Sequence, residues 1–111
     1  MKRTFVESSR FSKRVNQEGT DVLKEIQTEV LKNPEGGRVI QGTGGLRKIR
    51  VGDIERGKGK RGGFRIIYLD LPHKERTHLL ALYDKNEKED ISKDEKKSLK
   101  ALVEQIKKES L

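Results

Sequence analysis

Hydrophobic residues in the first third of the chain recur at the spacing of a helix. Val22, Ile26 and Val30 are four residues apart, so they share one face of a helix whose other face is polar. The residues that can cap its start are Thr20 and Asp21. Because Pro34 cannot continue a helix, we predict that this amphipathic helix ends before it.

Two shorter elements precede this helix. The run Thr4-Phe-Val-Glu7 is rich in residues that favour strands, and it predicts a first strand. Phe11 and Val15 are four residues apart and predict a short helix, which Ser8 or Ser9 can cap.

The middle of the chain shows the alternation that is typical of strands. Residues 46–51, 64–71 and 77–83 predict three strands, and their order along the chain predicts an antiparallel meander. The turn at 52–63 has 12 residues, five of them glycine, which is long for a hairpin. Connections of this length without secondary structure are usually functional or disordered.

The last predicted element is a helix that runs to about residue 108. Ser92 and Glu95 fit a capping box, in which each side chain satisfies the other residue's backbone amide. Its hydrophobic stripe, at helical spacing, consists of Leu99, Leu102, Val103 and Ile106.

The order of these elements, β-α-α-β-β-β-α, predicts an α+β fold with a small antiparallel sheet, two N-terminal helices and a C-terminal helix. The chain has 111 residues, close to the commonest domain size. We therefore expect residues 1–111 to form a single domain.

Positive charge is concentrated in one part of the chain. Residues 38–65 contain nine Lys or Arg and two acidic residues, so this window carries +7 of the chain's net charge of +8. A general need for solubility does not require such a concentration of positive charge. The concentrated charge predicts a polyanionic partner, and nucleic acid is the first candidate.

Several kinds of chemistry are excluded by composition. The chain has no cysteine, and its two histidines, His73 and His78, do not suggest a metal site, so we expect no metal and no cofactor. Gly52 to Lys58 resembles a phosphate loop but lacks the Ser or Thr after the lysine. No run approaches the about 20 apolar residues of a membrane span. We therefore expect a cytoplasmic protein that does not contact membranes.

The basic strands could also carry catalysis on RNA. Strand alternation places Lys48 and Arg50 on one face, with Arg65 on the adjoining strand. Guanidinium groups can stabilise charge on a phosphorane, and lysine or tyrosine can transfer protons where histidine is absent.

Three stretches resemble the RelE/ParE toxin superfamily. They are Leu46-Arg-Lys-Ile-Arg50, Gly63-Phe-Arg-Ile-Ile-Tyr68 and Tyr83-Asp-Lys-Asn-Glu87. Together with residues 40–45 and the glycine-rich 57–63, they most resemble the HigB branch. The resemblance implies a type II toxin that cleaves translated mRNA on the ribosome without metal, inhibits translation and arrests growth under stress. It also implies an antitoxin, which we expect to be a helix-turn-helix DNA-binding protein encoded next to it.

The resemblance also implies residue roles. Lys48 and Arg50 match basic positions on the second strand, and Arg65 matches an arginine expected to stabilise the transition-state phosphate. Asn86 stands where RelE has an arginine, and the C-terminal segment has no tyrosine, so the general acid and base stay open. The residues that can replace them are Tyr83, Lys85, Lys58 and Lys60. The predicted RNA- or ribosome-binding residues are Arg47, Lys58, Lys60, Arg61 and Asn86.

Two other functions remain open from the sequence. The same fold serves ParE-like toxins, which inhibit DNA gyrase by binding it. The basic surface could also belong to a noncatalytic RNA-binding module, in which the charges provide affinity alone.

Overall fold

The computed structural model describes residues 2–52, 63–85, 87 and 90–111, and these form an α+β fold. In chain order, the elements are β1 (Thr4–Glu7), α1 (Ser9–Glu18), α2 (Thr20–Lys32), β2 (Arg38–Val39), β3 (Arg47–Val51), β4 (Phe64–Leu71), a 3₁₀ turn (Pro72–Lys74), β5 (Arg76–Asp84) and α3 (Lys93–Glu109). The predicted fold class and the three predicted helices are confirmed.

The five strands form one mixed sheet in the order β1-β5-β4-β3-β2. Three neighbouring pairs are antiparallel, but β1 runs parallel to β5, with Phe5 opposite Thr77. The predicted antiparallel meander is present as β3, β4 and β5, but the prediction of a small antiparallel sheet was wrong for β1, which makes the sheet mixed. The strand β1 is joined to its neighbour through most of the chain, so no hairpin imposes its direction. The strand β2 was not predicted because two residues show no alternation.

Helices cover both faces of the sheet. On one face α1 and α2 bury Phe11, Val15 and Ile26 against Phe64, Ile66, Tyr68 and Leu79. On the other face α3 buries Leu99, Val103 and Ile106 against Leu46, Ile67 and Leu69. Because β4 and β5 are buried on both faces, their sequences are almost continuously hydrophobic.

The helix starts follow the predicted caps in two of three cases. Ser8 caps α1, since its hydroxyl accepts a hydrogen bond from the Phe11 amide at 3.0 Å. Ser92 and Glu95 form the predicted capping box of α3. The prediction that Thr20 or Asp21 caps α2 was wrong, because the helix begins at Thr20. Gly19 precedes it with a φ of 101°, a conformation that favours glycine and allows the abrupt link from α1 to α2.

The turn between α2 and β2 is attached to the sheet by Tyr68 and Arg47. The Tyr68 hydroxyl accepts a hydrogen bond from the Gly37 amide at 3.0 Å and donates one to the Pro34 carbonyl at 2.9 Å. The Arg47 guanidinium donates to the carbonyls of Glu35 and Gly37, both at 2.8 Å. These bonds place β2 beside β3.

We predict that Gly37→Ala destabilises the protein by about 1–3 kcal/mol, as overpacking does elsewhere. A Cβ atom at this position would lie 2.5 Å from the Tyr68 hydroxyl and 2.9 Å from side-chain atoms of Arg47 and Ile49. Urea unfolding measures the loss. Gly36→Ala is the matched control, because the three atoms nearest to its Cβ all belong to Asn33, at 3.0–3.3 Å, and we expect a smaller effect. Equal stability of Gly37→Ala and the parent would contradict this account of the turn.

Candidate functional site

Three of the predicted catalytic residues lie in one row across the sheet. Arg65 on β4 is opposite Arg50 on β3 and opposite Tyr83 on β5. Side chains of residues directly opposite each other point to the same face, with Cβ atoms about 4.5–5.5 Å apart. The row lies on the face that α3 covers, near the start of β4. Pairing of three consecutive strands thus creates one candidate site.

Lys48 extends this row along β3. It lies two residues before Arg50, on the same face, and its ammonium group is 3.4 Å from a carboxylate oxygen of Asp90. The Lys48 side chain is 19% exposed and that of Asp90 is 65% exposed, so the ion pair lies at the edge of the site. Asp90 precedes α3 and connects the row to the start of that helix.

Lys85 lies at the same end of the sheet. Its backbone amide donates to the Gly63 carbonyl at 3.3 Å, which continues the pairing of β4 and β5 by one step. The side chain is exposed. The five predicted catalytic residues are therefore brought to one end of the sheet.

The segment after β5 is held by an ion pair with α1. The Arg14 guanidinium makes two hydrogen bonds to the Glu87 carboxylate, one at 2.9 Å and a shorter one. The same carboxylate accepts the Asp84 amide at 3.0 Å. The hydrogen bond from Arg14 lowers the pKa of Glu87 and raises that of Arg14. This ion pair fixes the segment that carries Lys85.

Tyr83 is a phenol with a strongly shifted pKa. Only 2% of the residue is exposed. Burial, followed by the negative charge of Asp90, raises its pKa from 10.0 to about 12, against the opposing charge of Arg65. The phenol is neutral at pH 7, so it is a hydrogen-bond and proton donor rather than a base.

Arg65 is the most deeply buried cation of the row. The residue is only 5% exposed, and one of its guanidinium nitrogens donates to the Phe64 carbonyl at 3.4 Å. A positive charge in such surroundings acts more strongly on a nearby anion than one in water, since less solvent screens it. Arg50, its neighbour across the strand pair, is exposed and can meet a ligand that arrives from solvent.

An open groove of about 460 Å³ lies beside the row, along the edge of β3. The basic residues that line it are Lys32, Arg38, Lys48 and Arg50. Glu29 pairs with Lys32 at 3.0 Å. The groove therefore gathers four basic side chains at this edge of the sheet, and it shares Lys48 and Arg50 with the candidate site.

Of the remaining predicted residues, the structure describes Arg47, which is not part of the row. Arg47 lies opposite Tyr68, on the other face of the sheet, and its guanidinium holds the turn at residues 35–37. Its contact with RNA stays a prediction. Lys58, Lys60, Arg61 and Asn86 lie outside the described residues.

Sequence reasoning missed Asp90 and Arg14. Their partners, Lys48 and Glu87, are 42 and 73 residues away in the sequence, so no local pattern indicates either contact. Strand alternation predicted that Lys48, Arg50 and Arg65 lie together, whereas the exact opposition of Tyr83 depends on the register of β4 and β5.

The described side chains contain no group of three His, Cys, Asp or Glu that could hold a metal ion. His73 is exposed, whereas His78 is buried and its pKa is lowered by burial and by Arg76. Within the described ranges, no helix combines the length and apolar character needed to cross a membrane.

Comparison with known proteins gives consistent results. A family model described as "RelE toxin of RelE / RelB toxin-antitoxin system" matches residues 3–111. A structure of an E. coli RelE toxin mutant in the free state is similar with a TM-score of 0.56 and 20% identity, over 80% of this chain and 90% of that one. A crystal structure of the isolated E. coli RelE toxin has a TM-score of 0.55 and 19% identity, over 90% and 98%.

The raised pKa of Tyr83 predicts a loss of stability at alkaline pH. The unfolded chain releases this proton near pH 10, whereas the folded protein keeps it until about pH 12. The contribution is present below pH 10 and is lost as pH rises towards the folded pKa. The shift corresponds to about 2–3 kcal/mol.

The titration is simple to read because the chain has two tyrosines. Tyr83→Phe leaves only Tyr68, so the difference between the alkaline absorbance titrations of parent and variant reports Tyr83. Tyr68→Phe is the matched control. A difference curve centred near pH 10 in the folded protein would contradict the shift.

Proposed function

The chain belongs to the RelE toxin family of toxin–antitoxin systems, and on this premise we propose that it is a ribosome-dependent, metal-independent endoribonuclease that cleaves translated mRNA. The observation that carries the proposal is the row of Arg50, Arg65 and Tyr83, with Lys48 and Lys85 at its ends. It combines positive charge with a neutral phenol on one face of the sheet.

Cleavage of RNA requires three actions at one phosphate. The 2′-oxygen loses its proton and attacks phosphorus, negative charge develops on the phosphoryl oxygens, and the 5′-oxygen leaves and takes a proton. We assign charge stabilisation to Arg65 and Arg50, since guanidinium groups bind phosphoryl oxygens with two donors. The step forms a bond between the 2′-oxygen and phosphorus and breaks the bond between phosphorus and the 5′-oxygen. No atom changes its oxidation state.

Proton transfer falls to the remaining groups. Tyr83 retains its proton at neutral pH, so it donates to the leaving 5′-oxygen. Lys48 and Lys85 are the amines at the two ends of the row, and one of them, in its deprotonated form, accepts the proton of the 2′-hydroxyl and becomes an ammonium group. The two candidates differ in their surroundings. Lys85 is exposed, whereas Lys48 forms an ion pair with Asp90.

The proposal extends to the biological setting, which the family membership supports. Residues 1–111 form one toxin domain of the HigB branch that acts in the cytoplasm, inhibits translation and arrests growth. The antitoxin is a helix-turn-helix protein encoded next to the toxin, and it neutralises a chain of net charge +8 through an acidic or amphipathic segment. An adjacent small reading frame of this kind is the expected observation.

We predict that Arg65→Ala lowers cleavage by about 10²–10³-fold, the usual effect of removing one preorganised donor to a developing charge. The assay maps 5′ ends on a reporter mRNA after brief induction, and cuts within translated codons are expected for the parent. Arg76→Ala is the control, because Arg76 is at the opposite end of β5 from Tyr83. We expect it to cleave normally.

Arg65 is buried, so the stability of the variant must be measured beside its activity. Arg65→Gln retains more side-chain volume and serves if the alanine variant unfolds. A folded variant that cleaves at the rate of the parent would remove Arg65 from the site. Uncut mRNA together with gyrase-dependent DNA damage in the parent would instead identify a ParE-like toxin.

A further inference from the structure

A second basic surface lies on α3, away from the row. Its lysines recur three, four and seven residues apart, so they share one face of the helix. The lysines are Lys93, Lys96, Lys97 and Lys100. With Asp94 and Gly42 they line an open groove of about 410 Å³ between the helix and the loop that precedes β3.

These lysines are not used to hold the fold together. Within the described part of the chain, none of the four ammonium groups forms an ion pair or a hydrogen bond with another residue. In contrast, Lys107 of the same helix donates to the Gly44 carbonyl. Among the described residues, Asp94 is the one acidic residue that lines the groove, so this lining carries four positive charges and one negative charge.

The lining of the groove indicates the kind of partner. Among the described residues, it consists of lysines, an aspartate and a glycine, so its apolar surface comes from lysine stems and not from hydrophobic residues. Protein segments usually dock through a core of hydrophobic side chains, and the described lining offers no such residue. Lysines alone are sufficient to bind a phosphate backbone, because such contacts are electrostatic and independent of sequence.

The start of α3 lies next to the edge of the candidate site. Asp90, which contacts Lys48, lies three residues before Lys93, the first residue of α3. Lys93 and Lys100 are separated by about 10 Å along the helix axis, given a rise of 1.5 Å per residue. An RNA strand that leaves the row past Lys48 therefore meets lysines over a distance that spans more than one phosphate group.

We propose that the lysine face of α3 binds the backbone of the single-stranded message next to the cleaved phosphate. The proposal rests on the proposed function in one respect, namely that the strand in the site is mRNA. It adds a binding surface that lies outside the basic window of residues 38–65. The contacts are with phosphates, so they provide affinity and direction for the strand without choosing its sequence.

The test measures salt-dependent binding of a short, fluorescein-labelled single-stranded RNA that carries 2′-O-methyl groups and cannot be cleaved. Each lysine that contacts a phosphate contributes about 0.7 to the slope of log affinity against log salt. Replacing all four α3 lysines by Gln should therefore reduce the slope by up to about 3. The milder variant Lys97→Gln/Lys100→Gln should reduce it by about half as much.

The matched control replaces four exposed lysines elsewhere, Lys2, Lys13, Lys24 and Lys74, by Gln. It removes the same net charge, so it separates a local contact from a general effect of charge. The proposal is supported if only the α3 variants lose slope. It is overturned if the α3 and control variants have equal slopes.

Two further outcomes would also overturn it. An α3 variant that binds the RNA normally but loses ribosome binding would assign the groove to ribosomal RNA. One that loses only the binding of a polyglutamate peptide would assign it to an acidic protein. The RNA probe cannot be cleaved, so a protein that lacks nuclease activity but shows the slope difference would contradict the proposed function alone.

Discussion

Burial of β4 and β5 on both faces is the constraint on which the rest of the structure depends. With α1 and α2 on one side and α3 on the other, the central strands have room for polar chemistry only where a helix ends. That place is the beginning of β4, where Arg65 replaces the aliphatic residue expected in a two-sided strand. The three-strand register then places Arg50 and Tyr83 beside it. The fold thus determines both the position of the site and the number of strands that contribute to it.

Sequence patterns predicted the parts of the structure that depend on local chemistry. The helical spacing of Val22, Ile26 and Val30 and the capping box of Ser92 and Glu95 were sufficient to identify α2 and α3. Contacts between distant residues were beyond such patterns. The parallel direction of β1 depends on pairing across some 70 residues, as shown by Phe5 and Thr77. The cap of α2 was misplaced because Gly19 acts through its backbone conformation, and it has no side chain to signal this.

The distribution of charge was likewise predicted only in part from the sequence. Counting along the chain identified residues 38–65, but it overlooked α3, because six lysines there are offset by four acidic residues. The helix sorts these charges by face. Glu95 turns towards Arg10 and Ser92, whereas the lysines at 93, 96, 97 and 100 line one groove. Net charge over a window therefore underestimates a basic surface whose acidic residues point elsewhere, and only the three-dimensional arrangement separates them.

The arrangement at the row has a cost in stability that the proposed function explains. A buried guanidinium and a buried phenol must both be desolvated, and replacing buried charged groups by well-packed hydrophobic residues is often neutral or stabilising. Burial and the negative charge of Asp90 raise the pKa of Tyr83 by more than the nearby Arg65 lowers it. The phenol therefore keeps its proton in spite of the positive charge next to it. Hydrophobic residues in both positions would provide neither the charge nor the proton that the proposed cleavage of a phosphodiester requires. On this proposal, stability at this end of the sheet is exchanged for chemistry.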